Sequence, residues 1–148
     1  MQTDPFDTLA KHKASKQQGN RTLDEAAQHW ARPIRAGLQR LAQTTWPNGH
    51  ILGVIPARRY RLRQKITPKG YVWWVEHDIP PYDRYWCAAY RVQLSLDGGN
   101  RPTLTVQSGT MVHPVWPLNQ ENLNQALAQA GDDLPLLLPR HMGRVIDP

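Results

Sequence analysis

The chain reads as an α+β protein: an N-terminal helix packed on a four-stranded antiparallel meander, followed by a short C-terminal helix. Three observations predict this. An apolar repeat at spacings of three and four runs from Leu23 to Leu41. Between His50 and Pro117, β-rich runs are separated by turn residues, and a capped amphipathic stretch follows Pro117. At 148 residues the length suits one folded unit that buries most of its apolar surface in a single core. We divide it into a flexible or marginally helical basic arm (1–20), the α+β domain (21–133) and a proline-punctuated tail (134–148).

The first helix is expected to open at Thr22, because Thr22-Leu23-Asp24-Glu25 has the form of a capping box, hydroxyl and carboxylate each satisfying a free backbone donor. Leu23, Ala27, Trp30, Ile34, Leu38 and Leu41 then line one stripe. Pro33 lies inside it, removing a donor and crowding the preceding turn, which predicts a kink or split near Arg32. The first strand is the basic run Arg58-Arg59-Tyr60-Arg61-Leu62-Arg63-Gln64-Lys65, and Thr67-Pro68-Lys69-Gly70 turns it into the second.

In the third strand, Trp86, Ala88, Tyr90, Val92, Leu94 and Leu96 alternate with Tyr85, Cys87, Ala89, Arg91, Gln93 and Ser95, so the first set is expected to face the core. Asp97-Gly98-Gly99-Asn100 is a hairpin turn, its glycines suited to positive φ. Asn119 caps the last helix, which turns Leu123, Ala126, Leu127 and Ala130 inward and is expected to stop at Gly131.

Charge is unevenly distributed. The net charge is +6, but residues 1–74 hold 13 Lys and Arg against four acids and residues 75–148 hold five against eight. Such asymmetry favours an anionic partner. The lone Cys87 cannot form an internal disulfide, and Met1 to Asp7 carries no apolar leader core, so a reducing, cytoplasmic setting is expected. The most apolar stretch, Leu134 to Pro139, is far shorter than the about 18 residues of a membrane span.

Strand alternation places Arg59, Arg61, Arg63 and Lys65 on one face, spaced at roughly 6–7 Å. That row can meet successive phosphates, releasing counterions at each contact. The leading expectation is therefore a non-enzymatic, largely sequence-independent nucleic-acid-binding or nucleoprotein accessory protein, DNA and RNA not distinguished. Arg58, Arg59, Arg61, Arg63, Lys65 and Lys69 would contact phosphate, and Tyr71 and Trp73 would stack bases. Charge also guards an edge strand against aggregation. If acids such as Glu76 and Asp78 face the row from the neighbouring strand, the charge is internally matched and the nucleic-acid reading falls.

Lys69-Gly70-Tyr71 begins like the aromatic signature of RNA-recognition motifs, but Val72, Glu76 and the element order depart from it. A second expectation is an adaptor or chaperone-like subunit that meets an acidic protein surface with the basic strand. Leu134, Leu136, Leu137 and Leu138 of the tail would then dock a partner protein. For catalysis the six histidines are scattered, and with one cysteine they form no metal pattern; neither a metal nor a cofactor is expected. In the tight Glu76-His77-Asp78 cluster, the two acids share a face and the histidine points away. An aromatic-lined pocket between the first helix and the sheet is the remaining alternative.

Overall fold

Five antiparallel strands lie side by side in chain order, and two helices pack on one face of the sheet they form. The computed structural model describes residues 5–46, 59–79 and 82–146. The elements are α1 (Pro5–Thr45), β1 (Tyr60–Thr67), β2 (Gly70–Ile79), β3 (Tyr82–Leu96), β4 (Pro102–Ser108), β5 (Met111–Val115) and α2 (Gln120–Ile146). The α+β class, the antiparallel meander and the flanking helices are as the sequence predicts. The strand count is five rather than four, because the run after Asn100 folds back at Gly109, whose φ of 58° permits the tight reversal. In the preceding turn Asn100, not a glycine, takes the left-handed conformation, while Asp97 Oδ1 accepts the amides of Gly99 and Arg101.

Both helices outrun their predicted limits. α1 begins at Pro5, so the arm expected to be flexible or marginally helical is helical from there, and Thr22 lies within the helix instead of capping it. It also runs unbroken through Pro33. Ala27, Ile34, Leu38 and Ala42 on both sides of that proline are buried in one core, and this shared docking outweighs the lost backbone bond. At the other end, Asn119 Oδ1 accepts the Asn122 amide at 2.8 Å, the predicted cap. α2 then continues through Gly131 to Ile146. A Cβ on Gly131 would lie 2.8 Å from Leu41 Cδ1, and one on Gly37 would lie 2.4 Å from Leu127 Cδ1. The two glycines let the helices approach reciprocally, so Gly131 serves packing, not termination. The tail leucines 134 and 136–138 fall within α2, and their side chains lie outside the described residues, as does Arg58.

The core joins both helices to the inner face of the sheet: Trp73 and Val75 of β2, Tyr90, Val92 and Leu94 of β3, Leu104 and Val106 of β4, and Val115 of β5. Burying each large apolar side chain contributes about 1.5–3 kcal/mol. A bulge between β2 and β3 alters the expected alternation. Val75 pairs with Tyr90, whereas Glu76 pairs with Ala88, leaving Ala89 as the extra residue. From Tyr90 onward the predicted inward set is correct. Before the bulge the faces exchange: Cys87 and Ala89 are buried, and Trp86 and Ala88 turn outward. No described helix is long and apolar enough to cross a membrane.

Candidate functional site

Among the described residues no element covers the outer face of the sheet, and cross-strand register determines which side chains meet there. One row reads Arg63, Trp74, Arg91, Gln107, Val112 from β1 to β5. The next, toward the β1–β2 turn, reads Lys65, Val72, Gln93, Thr105, Pro114. On the other side Arg61, Glu76 and Ala88 are aligned. Directly opposed side chains have Cβ atoms about 4.5–5.5 Å apart, close enough to interact.

The predicted acid match is real but partial. Arg59 donates from its backbone amide and from Nε to Asp78, at 2.9 and 3.2 Å. Arg61 Nε donates to Glu76 Oε1 at 2.5 Å, and Arg63 Nη1 lies 3.9 Å from the same oxygen. Among the described residues five outward cations, Arg59, Arg61, Arg63, Lys65 and Arg91, thus face two acids, an excess of three positive charges. The acids also sit beneath the cations. Asp78 and Glu76 side chains are 0% and 14% exposed, against 57%, 41% and 49% for Arg59, Arg61 and Arg63. What reaches solvent is therefore guanidinium.

Glu76 is also the support for Trp74, whose Nε1–H donates to Oε2 at 3.0 Å. Burial pulls the Glu76 carboxyl upward, but the hydrogen bonds from Trp74 and Arg61 and the charges of Arg61 and Arg63 outweigh it and hold the group below its ordinary value. Lys65 Nζ stands 5.6 Å from the Trp74 ring centre. Trp86 is more fully occupied: the Arg61 guanidinium lies 3.8 Å above its ring centre and that of Arg59 lies 5.2 Å away.

Of the expected stacking residues, neither is on this face. Trp73 is a core residue, 4% exposed, and Tyr71 points to the helix side, donating its hydroxyl to Asp24. Lys69 is exposed in the β1–β2 turn. Trp74, Trp86 and Arg91 were missed as site residues. The alternation of β2 already turns Trp74 away from Trp73, and that of β3 turns Arg91 outward, but Trp86 reaches the face through the bulge and Arg91 meets Trp74 through the β2–β3 register, which no local pattern encodes.

Away from this face, β5 and α2 bring His113 Nε2 to 2.6 Å from Asp133 Oδ2, and the other oxygen of that carboxylate accepts from Gln129 at 3.1 Å. His77 is buried on the inner face, its ring 4.9 Å from that of Trp46, with Nδ1 2.8 Å from the Asp78 carbonyl oxygen. Burial lowers its pKa, against a smaller opposing effect of Asp78. Burial, with a lesser contribution from Glu76, pushes the Cys87 thiol up to about 12, which leaves it protonated and unreactive at neutral pH. Compared with known proteins, the chain matches no family model, no curated protein and no solved structure.

Proposed function

We propose that the protein binds unpaired nucleic acid across the open face of its sheet, largely without regard to sequence. The supporting observation is Trp74. It is half-buried in the uncovered face, held by Glu76, with Arg63 and Arg91 as its cross-strand neighbours and Lys65 beside its ring. A base stacked on such an indole contributes about 1–3 kcal/mol whatever its identity. Arg63 and Arg91 present forks suited to phosphate oxygens, and Lys65 adds a point charge. Arg59 and Arg61, largely matched by Asp78 and Glu76, shape the face rather than supply its excess charge. This moves the weight of the site from the whole basic strand to a centre shared by β1, β2 and β3.

Fluorescence anisotropy with short labelled DNA and RNA, single- and double-stranded, tests it. Single strands are expected to bind at low salt, with a log–log salt slope of about −2 for three phosphate contacts. Arg63→Glu combined with Arg91→Glu should abolish binding, and Trp74→Ala should weaken it by about tenfold or more. Absence of binding at low salt would overturn the proposal. Competition by polyglutamate as effective as by oligonucleotide, with Trp74→Ala silent, would transfer the face to an acidic protein partner.

A further inference from the structure

A second concave feature lies on the helix side of β1, away from the open face. It is a solvent-open groove of about 580 Å³ between α1 and the β1–β2 corner, within the usual range of small-molecule sites. One stripe of α1 forms its wall. Asp24 and Arg35 stand toward its two ends, and the small side chains of Ala27 and Ala31, one turn apart, leave the middle open. The sheet side is aromatic, the Tyr71 and Trp73 rings lying nearly parallel at 18° with centres 6.0 Å apart. Two hydrogen bonds tie helix to sheet around this space, Tyr71 to Asp24 and Arg35 to the side-chain amide oxygen of Gln64. Beyond the second lies a smaller cavity of about 210 Å³ that shares Arg35, Gln64 and Trp73 with the first. The Arg35–Gln64 bond is thus a bar across one longer groove.

The polar inventory specifies the occupant. The Asp24 carboxylate already accepts from Tyr71, and the Gln64 oxygen already accepts from Arg35. Of the other polar groups lining it, Gln28 is a neutral amide and Lys65 a second cation beside Arg35. Trp73 lines both cavities with its ring, while its Nε1–H is buried away from solvent. Arg35 is held only by a neutral amide, which a carboxylate would replace as the stronger acceptor. Ile66, 73% exposed at the rim, is an apolar surface that a bound molecule would cover.

We propose that this groove binds a small flat aromatic carboxylate. Its ring lies between the alanine stripe and the Tyr71–Trp73 wall, and its anionic oxygens take the Arg35 guanidinium from Gln64. The groove adjoins the open face, since Lys65 lines it and Arg63 lines its continuation, but its recognition rests on Arg35 and the aromatic wall and not on nucleic-acid binding.

Titration of the full chain with 1-naphthoate, followed by amide and indole N–H resonances in ¹H–¹⁵N NMR, tests the assignment. The indole resonance lost in Trp73→Phe identifies Trp73. It should shift saturably with naphthoate, together with the Ala31 and Arg35 amides. Arg35→Gln, a change at an exposed position, should raise the dissociation constant by about tenfold or more. Ala31→Phe, which fills the slot, should remove the shifts while leaving the rest of the spectrum folded. Absence of a saturable Trp73 shift in the native chain would overturn the proposal, as would 1-naphthylmethanol binding as tightly as naphthoate or Arg35→Gln binding it unchanged.

Discussion

The two faces of the sheet solve the same problem in opposite ways. Each strand must place alternate side chains on either side. Toward the helices the solution is exclusion of water: Val75, Val92, Leu94, Leu104 and Val106 interlock with Ile34, Leu38, Leu123 and Leu127. Some of the polar groups admitted there are anchored, as where Tyr90 and Thr45 share a hydrogen bond of 2.8 Å. Toward solvent the solution is compensation. Buried acids hold exposed arginines, arginines cover Trp86, and Glu76 carries both Arg61 and Trp74. Stability therefore resides on the inner face, while the outer face can carry a net charge at little structural cost.

Neighbouring residues on one strand expose that difference most sharply. Leu94→Ala, on the inner face, should lower unfolding free energy by about 2–5 kcal/mol in urea titration, because the cavity cannot close between helix and sheet. A loss below about 1 kcal/mol would show that the core repacks freely there.

Acid should divide the faces by pH. His77 on the inner face has a lowered pKa, so the unfolded chain takes up a proton that the folded chain refuses as pH falls through its ordinary value of 6.5. Stability should start to fall there. Glu76 on the outer face has a carboxyl lowered from 4.5, so its contribution is intact above that pH and is lost only as pH falls further, through its folded value. Urea midpoints measured across this range should decline in two stages, and His77→Gln should remove the upper one.

Glu76→Gln keeps the side chain's size and an acceptor for Trp74 but discards the charge that pairs with Arg61 and Arg63. It should cost about 1 kcal/mol, since the arginines are substantially solvated. The same change should tighten oligonucleotide binding at low salt, a sign reversal between stability and affinity that the inner face cannot show. The smallest effect belongs to Arg91→Ala, expected to change stability by less than about 0.5 kcal/mol while weakening oligonucleotide binding.

Much of this architecture was legible in the residues. The basic run of β1, the turn at Thr67 to Gly70, the inward set from Tyr90 to Leu94 and the Asn119 cap are all written in local chemistry. The errors share one cause. A capping box at Thr22, a proline at position 33 and a glycine at position 131 are local signals for starting, splitting and ending helices, and each was overruled by packing. Cys87 and Trp86 were given each other's faces because one extra residue, Ala89, shifts everything before it. Trp73 was assigned to a binding surface because its strand is basic nearby, whereas the helix stripe beside it claims it for the core.

By itself the sequence determined the class of fold, the order of its elements and the fact that β1 presents one face of cations, since these follow from periodicity and turn chemistry within a few residues. Only the tertiary structure decided how those cations are used. The antiparallel register brought Asp78 and Glu76 to Arg59 and Arg61, and Trp74 and Arg91 to Arg63, by uniting residues up to about thirty positions apart. Electrostatic matching depends on distance in space, and distance in space is set by register and bulge, which the whole core selects.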